Sequence, residues 1–539
     1  MNAAGAAVRP GAAPSKSAAA KSHSGPAGSG NHVAPRNRRN VELLLLGIAM
    51  ALVLAALALV DANLHRPVVG DLARVALVYG VIIGGGHLAI RFFAPYADPL
   101  LFPVVALLNG VGLVFIFRIG LEVLDPGSEA ARQSILSFDT NPQLVWTFVS
   151  VAAFGLVLVF LKDYRVLSRY AYTLGAFGVL FLIVPSLVNR LIPGQDRNGS
   201  NVWVHLGFLT VQPGEFAKVA LIVCSASLLV AKRELFVTAG THTWGLDLPR
   251  MRDLGPLLLA WGLSIATLFL QNDLGMGLLI FATALLMLYI ATERLSWLLL
   301  GLLLLVVAGT FAFTQIPHVK VRAQAWWDPL ADCDSNTSYQ LCEALFGLAV
   351  GGLGGTGLGA GSPARVPEAH NDFILAAVGE ELGLIGLAAV VLLYFLLVDR
   401  GVRVALTVRD SFGKLLAAGL AITIAIQVFV IAGGVTDLIP LTGLTTPFMS
   451  SGGSSLLSNY ILLALLVKIS HEARKPGSLP AAAPASGKAK ATRHSAQKTA
   501  DPQAAPEQNA QDRAAHDQDT TTINLPKVSE SPAPGGAAQ

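Results

Sequence analysis

Long apolar segments constrain the fold of this chain more than any other feature. The 539-residue sequence contains about twelve of them, many 18 or more residues long, which is the length at which an apolar helix crosses a bilayer. Their ranges are 42–60, 75–90, 100–118, 144–161, 169–189, 214–231, 254–271, 274–291, 295–313, 373–398, 415–436 and 448–468. Only 13% of the residues are charged, against roughly 25% in an ordinary soluble domain. The sequence therefore predicts an all-α polytopic membrane protein with about twelve transmembrane helices, and it excludes soluble multidomain enzymes, coiled coils, collagens and disulfide scaffolds.

The two ends of the chain differ from the middle. Residues 1–40 combine Ala, Gly, Ser and Pro with basic side chains and no acid, and residues 471–539 are rich in Ala, Pro, Gln, Lys and Asp. Such segments bury too little apolar area to offset the entropy that ordering would cost. We predict disordered tails at 1–40 and 471–539, flanking a transmembrane domain at 41–470. The tails are either solvated linkers without a specific partner, or arms whose N-terminal arginines are attracted to anionic lipid by about 1 kcal/mol per basic residue.

Basic residues orient the predicted helices. Arg36, Arg38 and Arg39 precede the first span, so the positive-inside rule places the N-terminus in the cytoplasm. An even number of spans then returns the C-terminus to the same side. The longest predicted outer connection, 314–372, lies between the ninth and tenth spans, and loops of this size are usually functional or disordered. Its apolar and aromatic residues favour a folded extracytoplasmic loop.

This outer loop contains two cysteines and a glycine-rich run. Cys333 and Cys342 are nine positions apart in what is predicted to be an oxidising compartment, where they either form a disulfide or remain two free thiols. The glycine-rich run 351–361 is not followed by the Gly-Lys-Ser/Thr of a phosphate-binding loop, and it favours close backbone packing or a re-entrant turn. The cysteine spacing and the lack of clustered His argue against metal binding, so no metal site is predicted.

Ionisable side chains within spans are candidates for function, because burying them in a membrane is expensive. Glu215 and Lys218 open the sixth span three residues apart on one helix face, and they form either a structural ion pair or part of a functional site. Asp273 stands at the break between the seventh and eighth spans, where it is suited to cap the following helix. Glu380 and Glu381 lie in the tenth span, and at least one of them must face the interior of the bundle.

Asp372 lies where the long outer loop enters the tenth span. It is either the N-cap of that helix or a general base at the boundary between water and membrane. The same loop holds further charged and aromatic residues, which are Arg322, Trp326, Trp327, Asp328, Asp332, Glu368 and His370. Ser454 belongs to the tract 446–455, which is too polar for lipid and must line protein or a cavity.

These residues fall in motifs with a recognisable order. The motifs are Gln212-Pro-Gly-Glu215-Phe-Ala-Lys218, Gln271-Asn-Asp273-Leu-Gly275, Trp327-Asp328-Pro, Pro367-Glu368-Ala-His370-Asn-Asp372-Phe, Gly379-Glu380-Glu381-Leu-Gly383 and Pro447-Phe-Met-Ser450-Ser-Gly452-Gly453-Ser454-Ser455. In this order they closely resemble the SEDS family of RodA, FtsW and SpoVE, across about residues 100–470. Within that family the chain is most similar to RodA-type proteins of actinobacteria, with two extra N-terminal spans beyond the usual ten.

The resemblance implies a peptidoglycan glycosyltransferase that polymerises lipid II at the outer face of the bacterial cytoplasmic membrane, for cell elongation and shape or for division. By similarity Asp372 is the catalytic base, and Glu215 and Lys218 shape the central cavity or contact the pyrophosphate. Arg322 is a candidate for a second phosphate contact, because Arg pairs well with phosphate oxygens. The remaining candidate substrate-binding or cavity residues are Asp273, Asp328, Asp332, Glu368, His370, Glu380 and Ser454.

The resemblance also implies a protein partner, a class B penicillin-binding protein that cross-links the strands, in addition to lipid II and membrane lipid. No cofactor and no nucleic-acid partner is indicated, and a divalent cation such as Mg²⁺ stays open. Two other functions fit twelve spans with buried charges: a flippase that carries lipid II across the membrane, and a scaffold that only recruits a transpeptidase. A flippase predicts key charges near the membrane midplane, whereas the acidic and aromatic loop of this chain is predicted to lie outside.

Overall fold

The protein is a bundle of long apolar helices. The computed structural model describes residues 38–123, 140–191, 202–206, 209–233, 240–243, 246–249, 262, 273–331, 333 and 338–476. In chain order its helices are α1 (Arg39–Asn63), α2 (Val68–Phe93), α3 (Leu101–Val123), α4 (Thr140–Phe160), α5 (Val166–Arg169), α6 (Ala171–Leu191), α7 (Pro213–Ala231), α8 (Leu274–Thr292), α9 (Leu295–Gln315), α10 (Pro317–Trp327), α11 (Tyr339–Gly351), α12 (Ile374–Thr407), α13 (Ser411–Val435) and α14 (Gly453–Arg474). Within the described ranges, eleven of them are long and apolar enough to cross a membrane. The chain is therefore a multi-pass helical membrane protein.

These eleven helices confirm eleven of the twelve predicted spans. The seventh predicted span, 254–271, lies outside the described residues apart from Gly262, and so do residues 1–37 and 477–539 of the two tails. Several helix ends differ from the predicted span ends; α2, for example, begins at Val68 and not at 75. The two longest C-terminal extensions are those of α12, which continues past the expected end at 398 to Thr407, and of α14, which continues past 468 to Arg474. Both extensions carry arginines, which are good helix formers and whose long stems keep the charged group in water while the helix leaves the apolar layer.

Two short hairpins were not expected from the sequence. β1 (Val204–Leu206) pairs antiparallel with β2 (Leu209–Val211), and β3 (Gly240–Thr243) pairs antiparallel with β4 (Leu246–Pro249). Strands of three or four residues are too short for an alternating pattern to be legible in the sequence.

The described part of segment 314–372, the predicted outer loop, is folded, as predicted. α10 and α11 occupy much of it, and α11 packs against α12. A disulfide joins Cys333 to Cys342, whose Cα atoms are 5.7 Å apart, and so links the segment after α10 to the first turn of α11. The side chain of Trp326 donates a hydrogen bond of 3.1 Å to the backbone carbonyl of Asp437, which ties α10 to the loop after α13.

The glycine-rich run wraps around a break in α12. Gly383 has φ +67°, a left-handed conformation that interrupts the helix and exposes its backbone groups. The run supplies partners for them, because Thr356 N–H donates to the Glu380 carbonyl at 3.0 Å and Leu384 N–H donates to the Gly352 carbonyl at 2.9 Å. Gly355 is itself left-handed (φ +82°), and a Cβ there would lie 2.2 Å from the Glu381 carbonyl. The glycine-rich run therefore packs its backbone closely against the backbone of α12, as one of the two sequence interpretations predicted.

The side chains of Glu380 and Glu381 also bind this segment. The Glu380 carboxylate accepts a hydrogen bond from Ser362 N–H at 2.6 Å, and the Glu381 carboxylate accepts one from Gly359 N–H at 3.1 Å. The Arg118 guanidinium pairs with Glu381 at 2.9 Å. Both acids face the interior, and their carboxylates bind the backbone of residues 359–362.

Candidate active site

The first turns of four spanning helices meet at one end of the bundle. Gln212 N–H, just before α7, donates to the Ser454 hydroxyl at the start of α14 at 3.1 Å. The His370 carbonyl, just before α12, accepts from Ser451 N–H at 2.8 Å. At the start of α8, a Cβ on Gly275 would lie 2.8 Å from the Thr442 carbonyl, so this helix approaches the loop before α14 closely. Helix N-termini carry partial positive charge, and their convergence favours an anionic ligand at this end.

Three charged residues from three elements form the centre of the site. Asp273 lies at the start of α8, Arg322 lies on α10, and Asp372 lies just before α12. The Arg322 guanidinium interacts electrostatically with both carboxylates. Gly443 lies beside two of the charges, because a Cβ built on it would be 3.5 Å from an Arg322 nitrogen and 4.0 Å from Asp372 Oδ2. Gly443 has φ +72°, a conformation that favours glycine, and glycine leaves the space beside Arg322 and Asp372 free of a side chain.

Asp372 does not cap α12, so that interpretation is wrong. The helix has Phe373 as its N-cap residue, and no side chain caps it. Burial raises the pKa of Asp372 from its ordinary value to about 6, while its own backbone N–H and Arg322 lower it and Glu368 raises it further. The carboxylate is thus ionised at neutral pH and is a better proton acceptor than an ordinary Asp.

Asp273 does cap α8, as predicted. Its Oδ1 accepts hydrogen bonds from Gly275 N–H at 2.9 Å and Met276 N–H at 3.1 Å. Burial raises the pKa of Asp273, and these hydrogen bonds together with the charge of Arg322 lower it. Burial likewise lowers the pKa of Arg322, and the two acids raise it. Arg322 therefore stabilises the charged form of each acid, and each acid stabilises the charged form of Arg322, at a buried position.

Glu215 and Lys218 form an ion pair in the bundle interior. Lys218 Nζ lies 2.6 Å from Glu215 Oε2, and each side chain is 1% exposed. The ammonium also donates to Gln427 Oε1 at 3.2 Å and to Asn459 Oδ1 at 3.1 Å, so α7 is tied to α13 and α14. The sequence analysis missed Gln427 and Asn459, although each is an isolated amide in an apolar run and was open to detection on that ground.

The other predicted site residues are placed less centrally. Glu368 and His370 are about half-exposed and lie 3.8 Å apart, and Glu368 also accepts a hydrogen bond from Asn371 at 2.5 Å. Ser454 is buried and joins α14 to α7. Asp328 ends α10 as an exposed residue, and Asp332 lies outside the described residues.

Known proteins match this chain over most of its length. Residues 99–475 match the model of the FtsW/RodA/SpoVE family, described as cell cycle proteins. The chain belongs to this family. The peptidoglycan glycosyltransferase RodA of Mycobacterium leprae (strain TN) is 50% identical over 442 residues, which cover 81% of this chain and 92% of the relative. Its namesake from Mycobacterium tuberculosis (strain ATCC 25618 / H37Rv) is 51% identical over 439 residues, which again cover 81% of this chain and 92% of the relative.

A solved structure shares the architecture. It is described as "Structural coordination of polymerization and crosslinking by a peptidoglycan synthase complex". The matching chain is 26% identical to this one and superposes with a TM-score of 0.56, and the match covers 70% of this chain and 99% of that chain. The family match begins at residue 99, after α1 and α2, which are the two extra N-terminal spans expected from the sequence.

The described residues of the candidate site do not form a cluster of metal ligands. Across those ranges, no three His, Cys, Asp or Glu side chains are grouped so that they could hold a metal ion. The charge between Asp273 and Asp372 is supplied by Arg322. The mechanism that we propose does not use a divalent cation.

Proposed function

We propose that Asp372 is the general base of the peptidoglycan glycosyltransferase reaction that this chain catalyses, with lipid II as substrate. The 4-hydroxyl of the incoming GlcNAc attacks the anomeric carbon of the second substrate, and its proton passes to the Asp372 carboxylate. The bond between the anomeric carbon and the pyrophosphate oxygen breaks, and undecaprenyl pyrophosphate leaves. A base of this kind contributes roughly 10²–10⁴-fold to a rate.

The observation that carries this proposal is the placement of Arg322 and Asp372 around Gly443. A proton acceptor and a guanidinium lie beside one open position, where a reacting hydroxyl and a departing phosphate have to meet. Arg supplies fixed donors to phosphate oxygens, and a cation held in advance costs no reorganisation when the negative charge develops. The converging helix N-termini add to the same field.

Glu215 and Lys218 have a structural role in this proposal. Lys218 has three internal acceptors, Glu215, Gln427 and Asn459, which match the three donors of an ammonium group. The pair therefore fixes α7 against α13 and α14 and shapes the cavity next to the site. In this proposal Arg322, and not Lys218, contacts the pyrophosphate.

We also propose the cytoplasmic membrane as the location, with the Asp372 end outside and both termini inside. The basic residues that flank the spans support this orientation through the positive-inside rule. A class B penicillin-binding protein is the proposed partner, because the solved relative comes from a complex that couples polymerization with crosslinking. The exposed apolar faces of the outer helices are available to such a partner or to lipid.

Polymer formation in detergent tests the proposed function. We expect the purified full-length chain to convert lipid II into glycan strands in detergent micelles, where there is no bilayer to cross. The products are separated by length on a gel. A flippase would leave lipid II unchanged in this assay, and a scaffold would polymerise it only when an active partner enzyme is added.

A further inference from the structure

A basic pocket opens at the end of the bundle opposite Asp372. α12 begins next to Asp372 and carries Arg400 close to its other end, and Arg474 ends α14 on the same side. The pocket encloses about 470 Å³, within the roughly 300–1,000 Å³ typical of ligand sites. The lining residues that concern its chemistry are Arg38, Tyr96, Asp98, Leu100, Arg400 and Arg474. Three guanidinium groups thus face one carboxylate.

Both oxygens of the Asp98 carboxylate already accept a hydrogen bond. Asp98 Oδ2 accepts a hydrogen bond from Arg474 Nη2 at 2.7 Å, and Oδ1 accepts one from Leu100 N–H at 3.0 Å. The residue is only 4% exposed. Asp98 therefore positions Arg474, and it has no further charge to offer Arg38 or Arg400.

The other two arginines have weak or no carboxylate partners among the described residues. Arg400 Nε lies 3.7 Å from Asp399 Oδ2, and that carboxylate already accepts hydrogen bonds of 2.8 and 3.0 Å from Arg403. Arg38 is exposed at the N-terminus of α1 and makes no capping hydrogen bond with its side chain. The pocket therefore presents one guanidinium group without a carboxylate partner among the described residues, and a second whose carboxylate partner is shared with Arg403.

The wall of the pocket is held in place before any ligand binds. Tyr96 N–H donates to His471 Nδ1 at 3.1 Å, and the two rings stack with centroids 5.7 Å apart. Asp98 N–H donates to the Ser470 hydroxyl at 3.0 Å. The segment 96–100 is thus fixed to the last turns of α14, and little ordering would oppose binding.

We propose that this pocket binds the phosphate group of an anionic phospholipid. Guanidinium groups suit phosphate oxygens because they offer several donors in one plane. The pocket lies at the edge of the apolar layer, where Phe92 and Leu88 of α2, 72% and 51% exposed, offer a surface for acyl chains just before Tyr96. Arg38 precedes the family match, so the extra N-terminal helices complete the site. This inference is independent of the proposed glycosyltransferase mechanism.

Lipid titrations with matched variants test this site. The purified full-length chain is titrated with phosphatidylglycerol or phosphatidylcholine in mixed micelles, and bound lipid is counted by native mass spectrometry. We expect selective retention of phosphatidylglycerol and an affinity about 30-fold lower in Arg38→Gln/Arg400→Gln, because each basic residue near an anionic lipid contributes on the order of fivefold. The control Lys162→Gln/Lys414→Gln removes two exposed charges from the same end at residues that do not line the pocket, and it is expected to change the affinity much less.

Three results would overturn the proposal. Equal losses in the two double variants would mean diffuse attraction only, and equal retention of the two lipids would remove the anionic selectivity. Displacement of phosphatidylglycerol by stoichiometric inorganic phosphate would indicate a site for free phosphate. If the pocket double variant fails to fold, as judged by circular dichroism, the single variants Arg38→Gln and Arg400→Gln are each expected to lose about fivefold in affinity.

Discussion

Replacing Asp372 by Asn is expected to lower the rate of lipid II polymerisation by about 10²–10⁴-fold, the contribution of a positioned general base. The amide keeps the size of the carboxylate but cannot accept the proton of the attacking hydroxyl. The initial rate of glycan formation by the purified variant measures the loss. Polymerisation at the wild-type rate would show that another group takes the proton.

The thermal stability of Asp372→Asn shows whether a loss of activity comes from misfolding. Burial raises the pKa of Asp372 to about 6. The folded state therefore binds a proton at this position more tightly than the unfolded chain does, and ionised Asp372 reduces stability at neutral pH. We expect Asp372→Asn to be at least as stable as the wild type in thermal unfolding. Asp163→Asn, which removes a partly exposed carboxylate at the opposite end, is expected to retain activity.

Replacing Lys218 by Met is expected to lower the free energy of unfolding by about 3–5 kcal/mol, the usual cost of breaking a buried ion pair. The substitution leaves the Glu215 carboxylate, 1% exposed, without its cation. Gln427 and Asn459 also lose their shared donor. The loss is measured by denaturant titration in detergent. Arg403→Gln breaks an exposed pair instead, and it is expected to cost at most about 1 kcal/mol.

The double variant Glu215→Gln/Lys218→Met separates a structural role from a direct role of this pair. The double variant removes both charges of the pair, so neither is left buried without its partner, and most of the lost stability is expected to return. If the pair only shapes the cavity, polymerisation stays within about tenfold of the wild type, whereas loss of a direct contact to developing charge costs roughly 10²–10³-fold. A stable double variant with that larger loss would place Lys218 in contact with the pyrophosphate.

The fold was largely predictable because each spanning helix is encoded locally. An apolar run of sufficient length specifies a helix by itself, and eleven of the described helices lie where such runs predicted them. Glu215 and Lys218 were also accessible, since residues three apart share one face of a helix. The break at Gly383 was not predicted, because it depends on hydrogen bonds to a glycine-rich run about thirty residues away in sequence.

The centre of the site was only partly predictable for a similar reason. Arg322 and Asp372 each stood out as charges near a membrane boundary, but they meet beside Gly443, which lies in a third loop. No spacing in the sequence reports such a contact. Glu380 looked like a cavity residue, whereas its carboxylate binds the backbone of Ser362.

The pH dependence of polymerisation tests most directly whether ionised Asp372 is the base, because it reports the ionisation itself. With a pKa of about 6, the rate is predicted to fall as the pH decreases through about 6. Arg322→Gln removes a charge that lowers this pKa, so the fall is predicted to occur at higher pH in that variant, together with a lower maximal rate. A rate that stays constant down to about pH 4, near the ordinary pKa of Asp, or a fall at the same pH in both proteins, would contradict the assignment.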